Sequence, residues 1–172
     1  DAVCFGGIGT VSVTVNTGAS PYGYLWSNNA TTASTTAVAG TYTVTVTDTN
    51  GCSTIGSATI NQPTQLTTSA VATDALCNGG NGSVALTVGG GTAGYTYLWD
   101  DTAASTTEDL ASVVASTYNL TVTDANGCST IASATVAEPT LLTASAVATD
   151  ALCNGGNGSV VVTASGGTSP YT

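Results

Sequence analysis

The twelve residues TDALCNGGNGSV stand at 73–84 and return, letter for letter, at 149–160. Nothing constrains this chain more, because a sequence that restates itself folds as a repeated unit. The repetition runs well beyond the twelve. LTVTDANGCSTIASATVAEP at 120–139 restates VTVTDTNGCSTIGSATINQP at 44–63, which pairs Asp48 with Asp124, Cys52 with Cys128 and Pro63 with Pro139, all 76 residues apart. Earlier in the unit the offset is 73: YLW at 24–26 matches YLW at 97–99, and Cys4 matches Cys77. The difference falls where SNNATTASTTAV (27–38) faces the longer DDTAASTTEDLASVV (100–114). Insertions settle in surface loops, so this segment is read as one.

Pro63 and Pro139, each followed by Thr, close a unit. The expected domains are 1–63, a first repeat lacking its opening strand; 64–139, a complete repeat; and 140–172, the N-terminal part of a third. The chain reads as a window on a longer array. The second and third repeats open on TQLTTSAVAT and TLLTASAVAT, for which the first has no counterpart.

Within a unit, short alternating segments follow one another with turn signals every ~8–12 residues, the pattern of an all-β fold. GSVALTV sends Val84, Leu86 and Val88 to one face. STYNLTVTD sends Tyr118, Leu120 and Val122 inward and Asn119, Thr121 and Thr123 outward. Threonine-covered outer faces form strands and stay soluble without charge. DANGC is read as a tight hairpin turn with Asn-Gly in positive backbone angles. About seven strands in a repeat of about 76 residues give the arithmetic of tandem immunoglobulin-like β-sandwich domains. Trp26 and Trp99 are expected at the centre of the core, and Tyr42 and Tyr118 at the corner where such sandwiches place a tyrosine. Val44 and Leu120 hold the positions of the usual following cysteine, so any disulfide lies elsewhere. Each complete unit has two cysteines, and the pairing expected is one disulfide per domain, Cys4 with Cys52 and Cys77 with Cys128, leaving Cys153 to a partner outside the fragment. A metal site is disfavoured, since there is no CxxC pair and no histidine. Disulfides imply an oxidising compartment.

Charge narrows the function classes. The chain has no Lys, Arg or His against ten Asp and Glu, where an average protein of this length carries roughly 20 basic residues. Nothing neutralises phosphate, so nucleic-acid binding is excluded, and an anionic membrane surface repels the chain. No apolar run approaches the ~20 residues that span a bilayer, and no signal peptide stands within these residues. The fold rests on apolar burial, backbone hydrogen bonds and cross-links rather than on ion pairs.

The motif order CNGGNGSV, GGTxxYTYLW, GTYTVTVTDxNGC and a closing Pro resembles the SprB-type repeat of very large surface adhesins in gliding and other Bacteroidota. The resemblance implies an extracellular, tandem-repeated stalk or filament, exported by the type IX pathway and displayed on the cell surface. It supplies no catalytic residue. The first unit departs from the motif, with CFGGIGT in place of CNGGNGS. Expected partners are neighbouring repeats of the same chain and lateral copies of itself. A filament of laterally packed chains and a glycan-binding module are the competing readings.

Candidate sites are few. Asp100, Asp101, Glu108 and Asp109 form the clustered carboxylates; paired carboxylates hydrolyse glycosides, but a solvated loop is the preferred reading, and the chain is read as no enzyme. No cofactor is expected. Calcium is the lesser alternative, on oxygen ligands from Asp48, Asp124, Glu138 and Asp150, against the usual role of Asp and Asn in turn geometry. Tyr95, Tyr97 and Trp99 line one strand face, which reads as core in preference to a sugar-stacking stripe. Asn29, Asn81, Asn119 and Asn157 begin Asn-x-Ser/Thr triplets, and Thr102 is a candidate for O-glycosylation.

Overall fold

The computed structural model describes all residues, Asp1–Thr172, as thirteen strands without a helix. The first repeat contributes β1 (Gly9–Ser12), β2 (Gly23–Trp26), β3 (Ser34–Ala37), β4 (Gly40–Thr47) and β5 (Ser53–Ile60). The second contributes β6 (Thr67–Thr73), β7 (Gly82–Gly89), β8 (Thr96–Trp99), β9 (Leu110–Val113), β10 (Ser116–Thr123) and β11 (Ser129–Val136). β12 (Thr143–Thr149) and β13 (Ser159–Ser165) follow. The sheets run β1-β3 and β2-β4-β5, then β6-β7-β9 and β8-β10-β11, then β12-β13. The all-β fold read from the alternation is the fold observed, with six strands in the complete repeat rather than about seven.

The chain forms two compact units: Asp1–Thr67 with Val88–Thr96 and Val122–Thr130, and Thr68–Thr87 with Tyr97–Thr121 and Ile131–Thr172. In the first unit, two sheets enclose a core of Ala2, Val11, Trp26, Val44, Val46 and Ile60, with Val13, Val15, Tyr22, Tyr24 and Tyr42 packed against it. Period-two alternation explains it: Val44 and Val46 on β4 point inward while the intervening threonines stay wetter. β4 pairs with β5 from Gly40↔Ile60 to Thr47↔Ser53, and Leu25, Thr45 and Ile55 fall in one cross-strand row. In the second unit Val84, Leu86, Trp99, Leu110, Tyr118, Leu120 and Val136 are buried. β7 pairs with β9 across an irregularity at Gly82/Ser83, and β12 pairs with β13 from Thr143↔Ser165 to Thr149↔Ser159.

Two local expectations are corrected. The segment of unequal length between Trp26 and Ala39 is not all loop. Its second half is β3, and its counterpart holds β9 with Leu110 only 4 % exposed. STTA carries no bulky alternation to mark it, and its strand state comes from pairing with β1. The Asn-Gly turns are also wider than a two-residue hairpin. Only the glycines, Gly51 at φ +85° and Gly127 at φ +82°, are left-handed. The preceding aspartate closes the turn instead, because the Asp48 carboxylate accepts the amides of Asn50 and Cys52, both at 2.9 Å.

Trp26 and Trp99 are 2 % and 1 % exposed, and each indole Nε1–H donates to a loop carbonyl, Thr32 at 2.8 Å and Thr107 at 2.9 Å. A buried indole needs that partner, since an unpaired donor forfeits its hydration without return. The Tyr42 and Tyr118 hydroxyls each donate to a carbonyl four residues upstream, Val38 and Val114.

Candidate functional site

Two structures built by the repeat meet at one place in the first unit. The first is the Cys-x-Gly-Gly loop. Ala2 is buried, and its amide donates to the carbonyl of Asn61 at 2.8 Å, while the Asp1 carboxylate accepts the amide of Asn61 at 2.9 Å. Gly7 donates to the Cys4 carbonyl, closing the loop, and Gly6 donates to the Gln62 side chain at 2.8 Å. Cys4 is therefore pinned at the end of the sheet where β5 finishes. The second is the DxNGC turn of the next repeat. Asp124 is 4 % exposed, and its carboxylate accepts the amides of Asn126, Cys128 and Thr92, each at 2.9 Å. Asn126 then reaches with its Nδ2–H to the Val3 carbonyl at 3.0 Å and to Thr92 Oγ1.

Cys4 and Cys128 are joined there by a disulfide, with Cα atoms 5.8 Å apart and a sequence separation of 124. Cys52, Cys77 and Cys153 are free and exposed. The expected pairs Cys4–Cys52 and Cys77–Cys128 are thus corrected. The reason is the length of a strand. Cys4 is held beside Asn61, while Cys52 precedes Ser53 at the other end of the eight-residue β5. At ~3.3 Å per residue the two ends lie ~26 Å apart, against the ~7 Å Cα separation that a disulfide tolerates. The second repeat is built alike: Ala75 donates to the Ala137 carbonyl, and the eight-residue β11 separates that contact from Cys128.

Electrostatically, the turn carboxylates are backbone acceptors. The amide of Thr92 leads the bonds that hold Asp124 below the ordinary aspartate value, assisted by Cys128 and Asn126 against the opposing desolvation. For Asp48 desolvation is the largest influence and pushes upward, but the amides of Cys52, Ala19 and Asn50 together outweigh it and the pKa is lowered. Glu138 accepts from Asn78 Nδ2 and the Gly79 amide, and Asp74 accepts the Ala137 amide, so both fix the Cys77 loop. Asp150 is exposed. No group of three His, Cys, Asp or Glu side chains converges to hold a metal ion.

The clustered carboxylates also brace loops. Asp100 accepts from Asn119 through both its amide and its side chain, Asp101 from Ser105 through both, and Asp109 from the Leu86 amide. The Asn119 side chain leads in lowering Asp100, and the Ser105 amide leads in lowering Asp101. These three aspartates line a concavity of about 710 Å³ beside β9, while Glu108 is exposed. Asp100 and Asp101 are held ionised by these donors, which makes them poor proton shuttles. Trp99 offers no ring face to a sugar, and the Tyr95 hydroxyl is bonded to Gly90 at 2.6 Å. Tyr97 is half-buried.

An all-β protein with an internal repeat, and with a disulfide joining the loop of one repeat to the turn of the next, is the class this geometry defines. Two segments, residues 69–104 and 145–172, match the SprB repeat, one lying within the second repeat of the chain and one within the third. The family is a structural repeat associated with cell-surface proteins. No curated protein matches the chain. The joint was missed by sequence reasoning because it links positions 124 apart. The available signal was the eight-residue strand standing between each turn cysteine and its closing Pro.

Proposed function

We propose that the chain is a structural segment of an extracellular surface adhesin or filament, in which immunoglobulin-like β-sandwich repeats (1–63, 64–139 and 140–172) follow one another as a stalk. The Cys4–Cys128 bond carries this reading, because it adds a second covalent tie between two repeats beside the Pro63 linker, where Gly6 donates to Gln62. Two covalent attachments resist bending and pulling better than one. Cys77 stands in the second repeat where Cys4 stands in the first, and Cys52 stands where Cys128 does. The same rule assigns Cys77 to the turn cysteine of a following repeat and Cys52 to the loop cysteine of a preceding one. Such bonds form outside the cytosol, in keeping with type IX export to the cell surface. The role calls for no cofactor and no catalytic residue.

A filament of several laterally packed chains is supported by one feature. Leu25 and Ile55, 55 % and 73 % exposed, share an uncharged outer row with Thr45. Electron microscopy of the chain in its native array, purified without reductant, separates the readings. A thin beaded thread, with beads about 35 to 45 Å apart as sandwiches laid end to end give, is the expected result. A thicker regular fibre establishes lateral assembly instead.

A further inference from the structure

Thr92 braces the turn that carries Cys128 from within its own repeat. It donates its amide to the Asp124 carboxylate at 2.9 Å and accepts the Ala125 amide at its carbonyl at 3.2 Å. Its hydroxyl accepts from Asn126 Nδ2–H at 2.9 Å. The first repeat reproduces the two main-chain bonds, because Ala19 donates to Asp48 at 3.3 Å and accepts the Thr49 amide at 3.2 Å. The third bond has no counterpart there, since alanine has no side-chain oxygen. The turn closes without it, so that bond serves something else.

The Asn126 carboxamide has two hydrogens to give. One goes to Thr92 Oγ1, and the other goes to the Val3 carbonyl at 3.0 Å. Fixing the first within the repeat aims the second at the loop of the preceding one. Val3 stands directly before Cys4, and Asn126 stands two residues before Cys128. The acceptor is main chain, so the turn reads the path of the loop and not its side chains. That suits a repeat in which Val3, Leu76 and Leu152 precede the cysteine, and CFGG and CNGG both occur from it onward.

We propose that Asn126 is the positioning residue for disulfide pairing between repeats: its carboxamide, steered by Thr92, docks the DxNGC turn on the loop main chain and so selects Cys4 for Cys128. The bond then forms by exchange with a small-molecule disulfide. One protein thiolate attacks that disulfide and expels one thiolate, and the second protein thiolate expels the other. Two protein thiols are oxidised, and one small disulfide is reduced to two thiols. This rests on the Cys4–Cys128 pairing and not on the stalk reading, so a failed test leaves the thread seen by microscopy untouched.

The test equilibrates the full 172-residue chain in mixtures of oxidised and reduced glutathione. Remaining thiols are then alkylated and the linked Cys4–Cys128 peptides are quantified. N126A and T92A are compared with the unaltered chain. Both keep every main-chain bond of the turn, and T92A carries the residue that the first repeat has. The effective concentration of one thiol for the other is expected to fall about threefold in N126A and about twofold in T92A. Pairing is lost to glutathione, Cys52, Cys77 and Cys153. The fully reduced chains are expected to melt together, because neither lost bond closes the turn. Unchanged pairing in N126A overturns the proposal alone. A matching loss of reduced-state stability assigns Asn126 to the fold and also overturns it. An unaltered chain that pairs Cys4 elsewhere overturns the joint, and the proposal with it.

Discussion

The amide of Ala2 donates to the carbonyl of Asn61 at 2.8 Å, and that bond fixes the end of the sheet at which Cys4 emerges. Because β5 runs the length of the sheet from there to Cys52, the loop cysteine cannot meet the turn cysteine of its own repeat. It meets Cys128 instead.

Disulfide mapping tests this directly. The chain has no Lys or Arg, so chymotrypsin takes the place of trypsin. Unreduced digestion is expected to yield a linked pair containing Cys4 and Cys128, with Cys52, Cys77 and Cys153 alkylated beforehand. Closing a loop of this span contributes about 5 kcal/mol by chain entropy. C4S or C128S is expected to lower the unfolding free energy by about 2–5 kcal/mol, while C52S stays within about 0.5. A Cys4–Cys52 peptide, or equal effects of C4S and C52S, contradicts the joint.

Trp99 is 1 % exposed and its indole is hydrogen-bonded. W99A removes the largest side chain of its core and leaves the Thr107 carbonyl without its donor. The expected loss is about 3–5 kcal/mol, read as a shift of the urea midpoint. W99F retains part of the packing and falls between.

Asp124 titrates below the ordinary aspartate value of 3.8 because the folded state donates amides to its carboxylate. Its lowered pKa means that the unfolded chain binds the proton first. The stabilisation is therefore present above about pH 4 and is lost as pH falls through the folded value. Protonating the other carboxylates relieves the net charge of −10 and acts in the opposite direction. The expected outcome is a difference: thermal melts between pH 5 and pH 2.5 fall less steeply in D124N than in the unaltered chain. Parallel curves remove Asp124 from the acid response.

Gly90 adopts φ +70°, and a Cβ there would stand 1.9 Å from the Gln65 carbonyl oxygen. G90A combines left-handed strain with a clash against backbone, which cannot move aside as a side chain does. It is expected to cost more than about 2 kcal/mol and to expose Leu66. G127A, where nothing lies within 4 Å, carries only the conformational strain and should cost less.

The strands, their buried faces and the repeat were legible in the sequence because each depends on near neighbours. Val84, Leu86, Tyr118, Leu120 and Val122 alternate within their own segments, and no partner is needed to say which side is apolar. The burial of Trp26 and Trp99 followed from size and from the lack of any other core candidate as large. The hidden strands β3 and β9 were not legible, since STTA and LASV carry no periodicity and become strands only by pairing with β1 and β7.

The carboxylates showed the same division. Asp48 and Asp124 were identifiable as turn residues from DxNG, but their third donors, Ala19 and Thr92, come from loops 29 and 32 residues away. By itself, then, the sequence determined an all-β repeat with no cation to build on and cysteines in a fixed rhythm. Only the tertiary structure decided that the rhythm links one repeat to the next. Pairing depends on which end of a sheet each thiol occupies, and an eight-residue strand is too long for a disulfide to span.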